Sequence, residues 1–447
     1  MKWFIAVILI LIAALLLDSG LLAYAMYVLL ALLLISRFLA RAWMNGISAT
    51  RKCDRDTAVV GDKAHVTLFI KNTGRLLVPW LLLEDLLPRY ALDKRFPRLK
   101  IKGKRLQIAM LRGGGEMVVK YQIECLARGY YQIGPLVLEN GDLFGLHRRF
   151  RVETGPAFLL VYPRIVTLEG YDLASRRPIG DVRLIHRLYE DPTRIAGVRP
   201  YELGDPLGRI HWRATARTGQ LHSKIHEPST LSGATVLLDF HQSGYHQRGE
   251  PYRSELAVVT AVSLANAVYE MGQQVGLVTN GRDAADRIRT EGWQHDPRSR
   301  HKAREAAMRD DSTRLRPQIV ETRRGVEQLQ RIRETLARVE LTDGLTFADL
   351  IAETAPRLPR DATVLAVLPE ATLEAAVALG ELRRRGFAVT VVLVMLDENQ
   401  LEQAYVRLTA EGVSDFRHLS DEAELAYLCN QQVHRATPYD FASLGGY

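Results

Sequence analysis

The chain has 447 residues, of which 47% are hydrophobic, so it is long enough for two or three domains with sizeable cores. Its three cysteines, Cys53, Cys125 and Cys429, are far apart and lack metal-ligand spacing, which favours reduced thiols over a disulfide framework. The net charge is +8, but the sequence has no zinc-finger spacing, no basic heptads and no aromatic RNP-like strand. The charge therefore indicates a domain that lies near an anionic membrane leaflet rather than one that binds nucleic acid.

Two apolar runs open the sequence, at residues 3–17 and 21–35, and Asp18-Ser19-Gly20 separates them. As a helix, fifteen residues span roughly 22 Å, against a hydrocarbon core of roughly 30 Å. The second run extends through Leu39 if Arg37 snorkels to the headgroups. We therefore predict a transmembrane helical hairpin over residues 1–42, with helices at about 3–17 and 21–39.

Two other interpretations of these runs compete with the transmembrane hairpin. Ala23-Tyr24-Ala25 resembles a signal-peptide cleavage site, but an apolar run straddles it. A buried hairpin in a soluble core is disfavoured because neither run has a polar face. Basic residues lie only outside the hairpin turn, which carries Asp18, so the positive-inside rule predicts a multi-pass protein of the cell inner membrane with cytoplasmic termini; those basic residues are Lys2, Arg37, Arg41, Arg51 and Lys52.

Residues 50–165 are predicted to form an immunoglobulin-like β-sandwich. Short stretches alternate between apolar and polar residues and end at turn residues, as at His65–Lys71, Met117–Glu124 and Tyr130–Ile133. Strands this short and frequent are typical of an antiparallel sandwich. The run Gly113-Gly114-Gly115 precedes a β pattern rather than a helix, so we expect a hairpin turn there and not a phosphate loop.

Residues 166–230 form a predicted linker that carries the most distinctive motif of the chain. The residues Gly204-Asp205-Pro206 strongly favour a turn, and the apolar residues of Leu207–Ala216 have helical spacing. Asp205 would cap that helix with Pro206 at its first position. Trp212 would then lie one turn from Arg209, where a guanidinium can stack on an indole.

The motif resembles the signature of the domain of unknown function 58 family, through Tyr201, Gly204, Asp205, Arg209, Ile210, Trp212, Arg213 and Arg217. Proteins of that family are bacterial and archaeal, usually membrane-anchored, and have a von Willebrand factor A-like domain but no established activity. Many are encoded beside MoxR-type AAA+ ATPases. The resemblance thus implies a scaffold that works with such an ATPase, or another membrane-associated protein, in assembling or activating membrane or envelope complexes.

Two roles for the motif stay open, and both can hold. Trp212 could pack the sandwich against the next domain while Arg209 and Arg213 pair with carboxylates across that joint. Alternatively, tryptophan and arginine could anchor a partner.

Residues 231–435 are predicted to form a von Willebrand A-like α/β domain with a parallel sheet. Buried strands alternate with helical stretches, which is typical of such sheets; they are Thr235–Asp239, Glu255–Met271, Val275–Thr279, Val364–Leu368, Leu373–Arg385 and Phe387–Met395. Ligands bind at the carboxyl ends of such strands, where Asp239 and Asn280 are expected. Residues 281–325 lack a pattern and are predicted to be a charged, solvated insertion, with a docking surface as the alternative.

A metal-binding A domain carries Asp-x-Ser-x-Ser after its first strand, which supplies the oxygens that magnesium prefers. Here the sequence is Asp239-Phe240-His241-Gln242-Ser243, with histidine at the first serine position. The later strand ends before Pro369-Glu370 instead of an aspartate. We therefore predict a scaffold with a degenerate site and neither metal nor cofactor.

Other chemistry finds little support in the sequence. His222 and His226 lie on a strand pattern, roughly 13 Å apart, which is too far for one zinc ion. The sequence has neither a Gly-x-Ser-x-Gly elbow nor a Walker A motif. We predict no catalytic residue, and the alternative is a metal-dependent hydrolase that uses Asp205 and His211.

Overall fold

The computed structural model describes residues 2–17, 19–142, 145, 147–169, 189–200, 210–229, 233–246, 249–291, 315–359 and 362–430. The chain forms two compact units. One is built on Met1–Tyr162, and the other on Pro163–Thr290 together with the residues from Arg309 onward.

The first unit begins with two contacting helices, α1 (Lys2–Leu16) and α2 (Gly20–Asn45). In the described part of the chain, α2 is the helix long and apolar enough to cross a membrane, whereas α1 is shorter. Helix α2 runs past the predicted end near residue 39 because Trp43 and Met44 are buried in the core of the following β region. That packing stabilises a helical end that the apolar pattern alone did not predict.

The β region of this unit has eleven strands, whose bounds are β1 (Ile47–Cys53), β2 (Thr57–Val59), β3 (Lys63–Asn72), β4 (Val78–Asp85), β5 (Leu99–Gly103), β6 (Leu106–Leu111), β7 (Glu116–Cys125), β8 (Gly129–Ile133), β9 (Leu136–Gly141), β10 (Arg148–Thr154) and β11 (Ala157–Tyr162). They form sheets of order β1-β3-β7-β5, β10-β9-β4-β6 and β2-β11-β8. The two four-stranded sheets share one core, and this β region is called the sandwich below. Every pairing is antiparallel except that of β2 with β11. Alternate residues of β3 are buried in one core, as the period of two requires.

The glycine run 113–115 is not the hairpin turn that we expected. It connects β6 to β7, which belong to different sheets. Gly113 lies so close to the backbone of Arg75 that a Cβ would clash there. Residue 113 must therefore be glycine because two loops that join the sheets pass closely at this point. A local sequence pattern cannot indicate such an approach.

The second unit contains a two-stranded ribbon and a six-stranded sheet. The ribbon pairs β12 (Tyr189–Pro200) with β13 (His222–Ser229), and the short helix α3 (Trp212–Thr218) precedes β13. The remaining strands are β14 (Gly233–Leu238), β15 (Gln274–Thr279), β16 (Arg282–Asp283), β17 (Gln318–Arg323), β18 (Val339–Glu340), β19 (Ala362–Leu368), β20 (Val389–Val394) and β21 (Phe416–Leu419), of which β16 and β18 form a small separate pair.

The sheet has the order β17-β15-β14-β19-β20-β21, where β17 is antiparallel to β15 and the others are parallel.

Helices cover both faces of this sheet, so every residue of β14 is buried. The described helices of this part of the unit are α4 (Tyr252–Glu270), α5 (Ala284–Glu291), α6 (Val326–Arg338), α7 (Phe347–Thr354), α8 (Leu373–Arg384), α9 (Glu398–Ala410) and α10 (Glu422–Leu425). Leu238 faces the core that contains α4 and α6, while Leu237 faces the core that contains α7 and α8.

Two predictions for this unit were wrong. The sheet is mixed rather than parallel, because β17 runs against the other strands. That strand lies inside residues 281–325, whose described parts also contain β16 and α5 and so have regular structure at both ends of the predicted insertion. Residues 292–314 lie outside the described residues. As an edge strand that is half-buried along its length, β17 has no strong apolar run, so its sequence signal is weak.

Candidate functional site at the carboxyl edge of the six-stranded sheet

The strand order reverses between β14 and β19, which are neighbours in the sheet. In open α/β sheets, ligands bind in the crevice that opens beyond the carboxyl ends of strands at such a point. Asp239 follows β14, Asn280 follows β15, and Pro369 follows β19, so the chain brings the predicted positions together at this edge.

Asp239 is buried and held by neutral donors. Its Oδ1 accepts hydrogen bonds from Asn280 Nδ2 at 2.9 Å and from the His241 amide at 3.1 Å. Burial raises the pKa of the Asp239 carboxyl, and the hydrogen bond from Asn280 partly opposes that rise. The carboxyl therefore binds a proton more readily than an exposed aspartate does.

Asn280 joins three segments of the site. Its Oδ1 accepts from the Phe240 amide at 2.6 Å, and its Nδ2 also donates to the Leu345 carbonyl at 3.0 Å. The side chain is fully buried, so each of these bonds replaces water. The sequence placed Asn280 at a strand end but did not predict that it fixes the Asp239 loop.

His241 and Ser243 bond to each other rather than completing a set of metal ligands. His241 Nδ1 lies 2.7 Å from Ser243 Oγ, and the Ser243 amide also approaches that nitrogen at 3.3 Å. These contacts close a short 3-10 turn at Gln242–Gly244. Across the described residues, no group of three or more His, Cys, Asp or Glu side chains is arranged to hold a metal ion.

Protein atoms fill the crevice between the two strand ends. A Cβ on Gly244 would lie 2.6 Å from Pro369 Cγ, so these residues are in close contact. Tyr245 donates its hydroxyl proton to the Asp239 carbonyl at 2.8 Å and packs edge-to-face on Phe240. Arg253 is also buried, and it donates to the carbonyls of Val394 and Pro369. Packing of these residues thus closes the edge around the Asp239 carboxylate.

The signature motif forms a second candidate surface. Ile210 is buried and bridges to Ser223, while His211 caps α3 by accepting the Ala214 amide at its Nδ1, 3.0 Å away. The helix therefore begins at Trp212 and not near Pro206, so Ile210 is extended rather than helical.

Trp212 is 68% exposed, which contradicts the expectation that it is buried in a domain joint. It is the first residue of a seven-residue helix that has no buried side chain. Arg213 and Arg217 are also exposed and lie one turn apart. The other motif residues, Tyr201, Gly204, Asp205 and Arg209, lie outside the described residues.

Two histidines of this region, His211 and His222, have local structural contacts. The strand predicted for His222 and His226 is confirmed as β13. His222 Nδ1 lies 2.8 Å from the Gln220 carbonyl, within a local turn. His211 is engaged as the cap of α3, so its Nδ1 is occupied.

Comparison with known proteins gives one family and distant relatives. The family described as "Protein of unknown function DUF58" matches residues 197–367. A Bacillus subtilis protein described as "Uncharacterized protein YeaD" is 24% identical over 273 residues, which are 61% of this chain and 65% of that protein, so the match spans just under two thirds of the relative.

Among solved structures, the chain is similar to the CARDB domain of the PF1109 protein from Pyrococcus furiosus, at 15% identity and a TM-score of 0.17 over 26% of this chain and 86% of that domain. It is also similar to proximal thread matrix protein 1 from the mussel byssus, at 11% identity and a TM-score of 0.28 over 44% of this chain and 46% of that one.

Proposed function

We propose that this chain, which belongs to the family described as Protein of unknown function DUF58, is a membrane-anchored scaffold or interaction protein. The exposed signature helix carries the proposal. Helix α3 buries none of its residues, yet it presents Trp212, Arg213 and Arg217. Tryptophan and arginine contribute much of the binding energy of protein interfaces, so their exposure on a helix without buried residues supports a partner surface.

The proposed anchor is the α1–α2 hairpin in the cell inner membrane, with both termini in the cytoplasm. Helix α2 supports it by length and composition. The basic residues outside the hairpin turn support the orientation. A reporter that is active only after export, fused after Tyr447, should stay inactive, and activity there would overturn the orientation.

We also infer that the six-stranded sheet is a von Willebrand factor A-like domain used as a scaffold. The sheet order, its antiparallel edge strand β17 and an aspartate directly after β14 support this assignment. The filled crevice favours a scaffold over the alternative, a metal-dependent hydrolase, because the Asp239 Oδ1 is already bonded and Gly244 packs on Pro369.

The proposed partner is a MoxR-type AAA+ ATPase, a choice supported by the family resemblance. Affinity capture from detergent-solubilised membranes tests it with Trp212→Ala and Arg213→Gln. Because Trp212 is exposed, its truncation should change stability by no more than about 0.5 kcal/mol while it weakens capture of the ATPase about tenfold.

Tyr427→Ala, which removes another exposed aromatic ring, is the matched control and should leave capture intact. Undiminished capture by both α3 variants would reject the partner role of this helix. A large drop in melting temperature for Trp212→Ala would instead show that the indole serves the fold.

A further inference from the structure

Three arginines meet where the membrane helix contacts the sandwich. Arg37 and Arg41 are exposed and one turn apart on α2, which contacts β9 and β10. Arg149 lies on β10, close enough that partial burial and then the charges of Arg41 and Arg37 lower the pKa of its guanidinium. All three belong to the unit built on residues 1–162.

The neighbours of Arg149 on β10 have carboxylate partners, whereas Arg37, Arg41 and Arg149 have none among the described residues. Arg148 lies 3.9 Å from Glu139, and Arg151 pairs with Glu153. Among the ion pairs of the described residues, none involves Arg37, Arg41 or Arg149. The junction therefore has a surplus of positive charge that an anion would neutralise.

A buried amide without partners lies at the same place. Asn140 on β9 stands directly opposite Arg149 in the strand register, so both side chains leave the sheet on one face. Asn140 is fully buried, and within the described structure neither its Oδ1 nor its Nδ2 has a hydrogen-bond partner. The Ser36 hydroxyl of α2 is likewise buried and unpartnered. An unsatisfied buried polar group costs about 1–3 kcal/mol, which a polar ligand would offset.

The bilayer determines which anion is nearest. The apolar side chains exposed on α2 continue to Phe38, so a rise of 1.5 Å per residue puts Arg41 roughly 4.5 Å beyond the last of them. Arg37 lies one residue before Phe38, and its long side chain extends outward to the headgroups. Lipid phosphates lie at that depth, directly outside the hydrocarbon core. Guanidinium groups match the geometry of phosphate oxygens.

We propose that Arg37, Arg41 and Arg149 form a binding site for the headgroup phosphate of an anionic phospholipid at the base of the sandwich. This site rests on the membrane anchoring proposed above. It would fix the orientation of the sandwich on the bilayer, since one ligand would bridge α2 and β10.

The test uses the full-length chain in a non-ionic detergent and native mass spectrometry with phosphatidylglycerol or phosphatidylcholine of equal chain length. The variant is Arg37→Gln, Arg41→Gln and Arg149→Gln together. The matched control removes three exposed arginines of the other unit, by Arg324→Gln, Arg331→Gln and Arg357→Gln. We expect the native protein and the control to prefer phosphatidylglycerol about tenfold, and the variant to lose that preference.

An unchanged preference in the variant, or an equal loss in the control, would overturn the site. So would displacement of the lipid by excess inorganic phosphate, because that result identifies a free anion as the ligand. Hydrogen exchange of β9 and β10 shows whether the variant is folded; if it is not, single substitutions at the exposed Arg37 and Arg41 give the same comparison. Recovery of the native chain outside the membrane fraction would reject the anchor itself, whereas membrane recovery without lipid preference rejects the site alone.

Discussion

Asp85 in the first unit and Asp239 in the second are buried carboxylates within hydrogen-bonded networks, and the two networks differ in charge. Asp85 in the sandwich is paired with a buried cation, Arg51. Asp239 in the α/β unit accepts hydrogen bonds from the neutral groups of Asn280 and His241. The first arrangement places a buried cation beside the Asp85 carboxylate, whereas the second surrounds Asp239 with neutral donors and leaves its pKa raised by burial.

The sandwich network crosses several strands. Arg51 Nε donates to Asp85 Oδ2 at 3.1 Å, and Tyr121 donates its hydroxyl proton to the same oxygen at 2.6 Å. Arg51 also donates to the carbonyls of Ile133 and Gly155. Burial, followed by the charge and hydrogen bond of Asp85, raises the pKa of the Tyr121 hydroxyl, so it remains a donor. The contacts connect β1, β4 and β7 with the ends of β8 and β10.

The largest expected loss of stability follows from breaking the Arg51–Asp85 ion pair. Arg51→Met leaves Asp85 charged and buried without its cation, which should destabilise the sandwich by about 3–5 kcal/mol. Hydrogen exchange of peptides from β1 and β4 in the full-length protein measures the loss. Lys52→Met, an exposed neighbour, should cost no more than about 0.5 kcal/mol. Equal protection in both variants would show that the pair contributes nothing to the fold.

Removing Asn280, which connects the loops of the α/β network, should lower stability less than breaking the Arg51–Asp85 pair does. Asn280→Ala deletes the acceptor of the Phe240 amide and the donor to Asp239 and Leu345, for an expected loss of roughly 2–3 kcal/mol. Urea unfolding followed by exchange of β14 and β15 peptides measures it. Asn266→Ala is the control, since Asn266 bonds to Glu270 on the exposed side of α4. A loss no greater than that control would mean that Asn280 does not hold the loops.

The charge difference between the networks predicts opposite responses to neutralisation. Because burial raises the pKa of Asp239, the folded state binds a proton more tightly than the unfolded state. Stability from this group therefore rises as pH falls from the folded pKa towards the unfolded value, and it is lowest above the folded pKa. Asp239→Asn keeps Oδ1 as an acceptor for both donors and removes the charge.

We expect Asp239→Asn to stabilise the α/β unit at pH 8, by on the order of 1 kcal/mol, with the gain vanishing in acid. Asp85→Asn should instead destabilise the sandwich at pH 8, because it removes the partner of Arg51. Hydrogen exchange measured at several pH values gives the stability of each unit and so distinguishes the effects of the two variants. A destabilised Asp239→Asn protein at pH 8 would mean that this carboxylate is needed in its charged form.

The sequence predicted the elements whose signal is local. Helix α4 and strands β14, β15 and β19 lie within three residues of their predicted bounds, since each is continuously apolar or has a clear helical period. Asn280 was likewise expected at a strand end. The edge strand β17 was missed because half-burial leaves it few apolar residues.

Contacts between distant residues could not be predicted in this way. Gly244 packs on Pro369, and Arg51 pairs with Asp85, across chain separations that carry no periodic signal. The sequence also left open whether Trp212 is buried or anchors a partner, because an apolar side chain favours burial on average. The structure exposes it on the short helix α3, none of whose described residues is buried.

The smallest expected effect is that of magnesium, which should leave the α/β unit unchanged. Magnesium needs a near-octahedral set of oxygens at about 2.0–2.1 Å. Asp239 Oδ1 is already bonded to Asn280 and His241, and Pro369 occupies the place beyond β19. An intact site at hundredfold excess over its dissociation constant would add ~2.7 kcal/mol, visible in the exchange of β14. His241→Ser restores the Asp-x-Ser-x-Ser sequence and sharpens the test. If the packed crevice excludes the ion, this variant stays unresponsive; a magnesium-dependent gain in the native chain that Asp239→Asn abolishes would show that the neutral network around Asp239 opens to admit a metal.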